Sequence, residues 1–224
     1  MSKPVHKKRR NVVVLGAVAL ALAGCSGSDS DAQDEVAVRP IPSFAATNAL
    51  SQRLFAEAVT LDATPTAQLP VTGTATYKGA VSYVDSNVSY IPDDLKFPEY
   101  ETFIVNNADY VSEIRMTADF GGDSVEGSMD GFRNSNNVSF RTGITFSGQI
   151  GSSSTDTAAF VGTLSGTSEQ LNVDGETEVK TFSGPIAGNF VGPRGETVLG
   201  TLAITKGFTG AAPGDIFGAF TAVQ

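Results

Sequence analysis

Two periods of apolar residues divide this chain. Between Ser43 and Leu61 they fall at helical spacing: Leu50, Leu54, Ala58 and Leu61 at i, i+4, i+8 and i+11, with Phe55 and Val59 beside them. Ser43 or Thr47 can cap the start, and Pro65 forbids continuation. One amphipathic helix of this length is marginal alone, so it is expected to pack against the wall of a barrel or across one of its mouths. From Pro70 onward the period drops to two, the mark of strands with one buried face. Gly73, Ala75, Tyr77, Gly79 and Val81 form the first stripe, and Ile114, Met116, Ala118 and Phe120 the second. After the turn Gly121-Gly122-Asp123 come Val125, Gly127, Met129 and Gly131, then Ile144, Phe146, Gly148 and Ile150, then Phe160, Gly162 and Leu164. Leu171 to Lys180 is polar and reads as a loop or a strand extension.

The densest pattern is C-terminal. Gly184, Ile186, Gly188 and Phe190 alternate with Pro185, Ala187 and Asn189; Val198, Gly200, Leu202 and Ile204 form the next stripe, and Ile216, Gly218 and Phe220 the last. Glycine recurring on a buried stripe suggests a sheet bent too tightly for flat packing, as in a small closed barrel. The stripes predict an all-β fold of about eight strands in an antiparallel up-and-down barrel, the number at which side chains just fill the interior. Pro185 is expected to face outward at an edge or bulge. One connection is out of scale: residues 85–109 are far longer than a hairpin loop. It mixes Tyr90, Phe97, Tyr100 and Phe103 with Asp93, Asp94, Glu99 and Glu101, a composition suited to a protein-binding surface. The filled interior leaves the rim for recognition. Phe97 and Tyr100 are the expected anchors, with Asp93, Asp94 and Glu99 selecting a basic surface.

The N-terminus adds a compartment. Lys3, Lys7, Lys8, Arg9 and Arg10 precede an apolar run, Val12 to Ala23, too short to span a bilayer. This is a secretory leader over residues 1–24, and its ending Leu22-Ala23-Gly24-Cys25 resembles the bacterial lipobox, which implies diacylation of Cys25. Residues 25–42, rich in Ser and Asp and then Pro, form a lipidated, disordered tether. Residues 43–68 are the helix and linker, and 69–224 the barrel domain. Ser26 after the cysteine resembles the outer-membrane sorting choice.

Cleavage also changes the charge and the chemistry. Of the 15 Lys and Arg, five lie in the leader, leaving ten against 24 Asp and Glu, or net −14. Such a surface repels nucleic acid and steers basic partners inward. The sole histidine, His6, leaves with the leader, and the sole cysteine is acylated, which removes triads and histidine metal sites. Gly122-Asp123-Ser124 is turn chemistry. The carboxylates at 93, 94, 99 and 101 lack EF-hand spacing and read as solvated. No enzyme and no cofactor are expected, and Tyr77 is read as a core residue, with no role as an iron or haem ligand.

FSGPIAGNFVGPRGE from Phe182, then VLGT from Val198 and FGAF from Phe217, resemble the last barrel strands of transferrin-binding-protein-B-like lipoproteins; LPVTGTATYKGA from Leu69 and ADFGGDSVEGSM from Ala118 resemble earlier ones. The resemblance implies a monomeric, surface-displayed outer-membrane binding protein that takes a protein partner or haem. Members of that family have two lobes, each with a handle domain before its barrel, whereas this chain offers one barrel preceded by a tether and helix. The alternative is a structural envelope lipoprotein that docks onto another outer-membrane protein.

Overall fold

The stripes become eight strands: β1 (Thr74–Asp85), β2 (Tyr110–Asp119), β3 (Ser124–Asn134), β4 (Arg141–Ser152), β5 (Ala158–Leu171), β6 (Thr177–Val191), β7 (Thr197–Lys206) and β8 (Asp215–Val223). Each pairs antiparallel with the next, and β8 returns to β1, closing the barrel. The computed structural model describes residues 42–224, except 88, 90, 93, 154, 172–176 and 207–214. The leader, Cys25 and the tether through residue 41 therefore lie outside the described residues, as do Tyr90 and Asp93.

The interior is the core. Tyr77, Ile114, Met116, Met129, Ile144, Phe160, Ile186, Phe190 and Phe220 are each buried within one cluster inside the barrel. Phe190, near the end of β6, has ring centroids 6.2 Å from Tyr77, 6.1 Å from Phe120 and 6.4 Å from Phe160. Buried hydroxyls find partners, as burial requires: Tyr77 Oη donates to the Gly195 carbonyl at 2.7 Å, and Tyr83 Oη shares a 2.8 Å bond with Ser112 Oγ. The opposite faces of β4 and β5 expose Arg141, Thr145, Ser147, Thr163, Ser165 and Glu169. A membrane-spanning barrel turns an apolar band outward, and this wall is the reverse: apolar inside, hydroxyl-rich outside.

Three local readings change. Gly131 does not lie on the inward stripe: a bulge between Val111 and Glu113 shifts the β2–β3 register, Gly131 takes φ 72°, and Phe132 turns into the core. Pro185 does face outward, but closure leaves no edge; it pairs with Thr163 on β5, and the β6–β7 pairing lapses across it. The polar stretch from Leu171 extends β5 and β6, which pair out to Leu171 and Thr177.

The helix α1 (Phe44–Ala58) is capped by Ser43, whose Oγ accepts from the Ala46 amide. It ends seven residues before Pro65, so that proline does not stop it. Its buried face is Thr47, Ser51, Leu54, Phe55 and Ala58, whereas Leu61 is exposed. The face is rotated from the apolar stripe because small side chains let the helix approach β1, where Ser82 Oγ donates to Ser51 Oγ at 2.9 Å. The helix thus packs on the outer wall. Its start meets the β3–β4 turn, the Phe44 amide donating to Asn137 Oδ1. The linker after it runs under the opposite mouth, where Ala63 bridges Val191, Pro65 bridges Thr157 and Leu69 enters the core.

Candidate functional site

The long connection between β1 and β2 does not stand up from the rim. It contains a second helix, α2 (Glu99–Asn106), laid along the outside of the barrel. Ile104 and Val105 join Phe55 and Ala58 of α1 in a second apolar cluster over Val84, Val191, Leu199 and Ala219, which are outward positions of the strands beneath. The signals for α2 are present in the sequence: Pro98 before the first turn, Glu99 and Glu101 within it, and Tyr100 and Ile104 one turn apart. Reading the segment as a loop missed them because eight residues are too few to show a period.

This places the predicted residues separately. Phe97 is 61% exposed, and Asp94 and Glu99 are exposed near it. Tyr100 is half-buried, its ring edge-on to Phe217 at 6.4 Å. Burial, helped by the negative Glu101 beside it, pushes the Tyr100 hydroxyl up to about 12. Tyr100 therefore serves first to hold the connection on β8. Asp93 lies outside the described residues. Among the described residues no cluster of three or more His, Cys, Asp or Glu side chains could hold a metal ion.

Two clefts flank the segment. One, of about 410 Å3, opens between Ile91, Pro92 and Leu95 on one side and Tyr100 and Phe217 on the other. The second, of about 190 Å3, lies where Phe97 and Glu101 face the outer wall of β5, β6 and β7 at Val161, Ala187, Asn189, Leu199 and Thr201. A larger open trough elsewhere, over β1 to β5, is walled by hydroxyls with one charge of each sign, Arg115 and Glu126. Among the described residues none of its polar side chains is buried.

Glu101 is the residue that sequence reasoning counted only as a solvated carboxylate. It is 7% exposed, and its Oε2 is buried with no hydrogen-bond partner. Burial raises its carboxyl above the usual range; a hydrogen bond from its own backbone N–H opposes this and does not cancel it. A raised pKa means the folded state prefers the neutral acid, so stability falls as pH rises from the unfolded value of about 4.3 through the folded one. Glu101→Gln is therefore expected to raise stability at pH 7 by about 1 kcal/mol, toward the low end of what an unmet buried polar group costs. The gain should vanish below about pH 4. Urea melts at both pH values check this, and an equal gain at both would contradict it.

Residues 69–224 match the family model for the C-lobe and N-lobe beta barrels of Tf-binding protein B. The chain belongs to this barrel family. Among solved structures, a single-residue variant of Transferrin Binding Protein B from Haemophilus parasuis Hp5 is 17% identical with a TM-score of 0.42. A double variant of the same protein is 16% identical with a TM-score of 0.38. Intact Ap-TbpB, with N and C lobes, is 18% identical with a TM-score of 0.39. Each comparison covers 73% of this chain and 28% of the other, so the chain spans little more than a quarter of those proteins. No curated protein matches. The Tf-binding-protein-B barrel family is thus shown for the strands and the preceding Leu69, while α1 lies before the matched region.

Proposed function

We propose that this chain is a lipid-anchored outer-membrane protein, displayed at the cell surface through Cys25, whose barrel captures a protein partner with the β1–β2 connection. Family membership supports a binding role over an enzymatic one, and the proteins it resembles are named for binding transferrin. The observation that carries the reading is Phe97, an exposed aromatic ring on a packed segment at the lip of the smaller cleft, with exposed Asp94 and Glu99 close to it in sequence. Aromatic anchors ringed by polar groups carry much of an interface's binding energy. A protein suits this site better than haem, because the barrel interior is filled by its own rings. The partner is transferrin or another protein with a basic surface, drawn by net negative charge.

Surface plasmon resonance with serum transferrin on the full chain tests this. Phe97→Ala is expected to weaken capture by about 2 kcal/mol or more, roughly 30-fold. Unchanged affinity would move the binding surface elsewhere, and no capture at all would exclude transferrin as the partner. For the anchor, Cys25→Ser is expected to abolish palmitate incorporation; continued labelling would remove the lipid anchor from the proposal.

A further inference from the structure

We propose that the cavity between α2 and strands β5–β7 is a receptor for one lysine side chain of the captured protein, with the Glu101 carboxylate as counter-ion. This rests on the reading of the connection as the capture surface.

The chemistry of the cavity narrows the occupant. Its volume, about 190 Å3, is below that of pockets for drug-sized ligands, roughly 300 Å3 and up, so it takes a side chain. Phe97, Val161, Ala187 and Leu199 offer apolar walls to an aliphatic stem. Among the described residues Glu101 is the one charged residue lining it, and its Oε2 lacks a donor. The terminal torsion of glutamate is broad, so the carboxylate can reorient toward a cation that enters the cavity. Lysine brings what is missing: three donors, no acceptor, and a positive charge on a flexible stem. Asn189 and Thr201 line the same cavity and carry oxygens that can accept its remaining donors, and Phe97 brings an aromatic ring, a group that attracts cations at its face. Arginine fits less well, because a planar fork of five donors needs more acceptors than these three residues hold.

The carboxylate also explains its own position. An unmatched buried oxygen weakens the free protein, and local rules are broken in this way chiefly at functional sites. Among the described residues no Lys or Arg lines the cavity, which leaves the carboxylate to a donor from a partner.

The test is titration of the full chain, labelled with carbon-13 at glutamate carboxyls, with N-acetyl-lysine methylamide. The uncharged norleucine analogue and spermidine are the comparisons. Saturable binding is expected, with a shift of the Glu101 carboxyl resonance. The norleucine analogue should bind at least about tenfold more weakly, as should the lysine probe to Glu101→Gln. Because Glu101→Gln is expected to gain stability at pH 7, weaker binding by that variant cannot be ascribed to misfolding. Equal binding of the lysine and norleucine probes, or no saturation, would overturn the assignment. So would spermidine binding more tightly than the lysine probe, which would mark a polyamine site. Transferrin capture that depends on Phe97 while the cavity ignores lysine would leave the capture surface standing and remove only its lysine receptor.

Discussion

Phe190→Ala is expected to destabilise the protein by about 3–5 kcal/mol, the range for deleting a buried ring. The side chain has no solvent exposure. Its ring touches rings from β1, the β2–β3 turn and β5, so the hole would open where three parts of the wall meet. Relaxation cannot close it, because a hydrogen-bonded cylinder does not contract locally. The backbone carbonyl of Phe190 also accepts from the Thr64 amide, 2.9 Å away; the truncation keeps that bond, so the loss reads the ring alone. Asn189→Ala, one residue along and facing out, should stay within about 0.5 kcal/mol. Urea melts of the two variants decide the register of β6. A larger loss for Asn189→Ala would invert the assigned faces.

Gly162→Val is the second large effect, with an expected cost of about 3 kcal/mol, toward the upper end for overpacking. A Cβ at this position would meet the Ser147 carbonyl and lie 2.7 Å from Gly148 Cα. Both are backbone atoms of the paired strand, which cannot yield as a side-chain tip can. Two glycines face each other here, Gly162 and Gly148, and the wall bends through them. Gly143 supplies the comparison on β4: its Cβ would meet nothing within 4 Å, and it points to solvent. Gly143→Val should therefore be neutral or stabilising, by up to about 1 kcal/mol from strand propensity. Melting temperatures showing equal losses at the two sites would mean that glycine serves the strands generally and not the curvature.

The outer-wall site accounts for a conflict in the second apolar cluster. Ile104, Val105 and Leu199 would favour burying α2 fully, yet Glu101 on the same helix carries a carboxylate into that contact. Replacing it should stabilise the fold and weaken recognition of the lysine side chain. Stability and binding then pull in opposite directions at one residue, as is common where a site is kept partly unsatisfied for a ligand.

Period and glycine spacing were enough, from sequence alone, to give the barrel, its strand number and nearly all of its inward stripes. Those signals are local: a strand's two faces differ in solvent, and that difference is written every second residue. Phe190, Gly188 and Tyr77 could be placed inside from that alternation alone. Local pattern failed where a face is decided by what lies across from it. Gly131 and Phe132 exchange roles because β3 bulges there, setting those two residues against Ser112 alone, and a glycine on an alternating stripe does not by itself say that the register slips. Thr47 and Ser51 are buried because Ser82 and the close approach of β1 reward small polar groups over leucine. The connection at 85–109 was recognisable as a long, aromatic and acidic insertion, but its place on the side wall was not. That place is set by outward residues of distant strands, Val84, Val191, Leu199 and Ala219, which form an apolar strip only once the barrel has closed. The unmatched oxygen of Glu101 exists for the same reason: burial belongs to the assembled wall, and no single segment of sequence carries it.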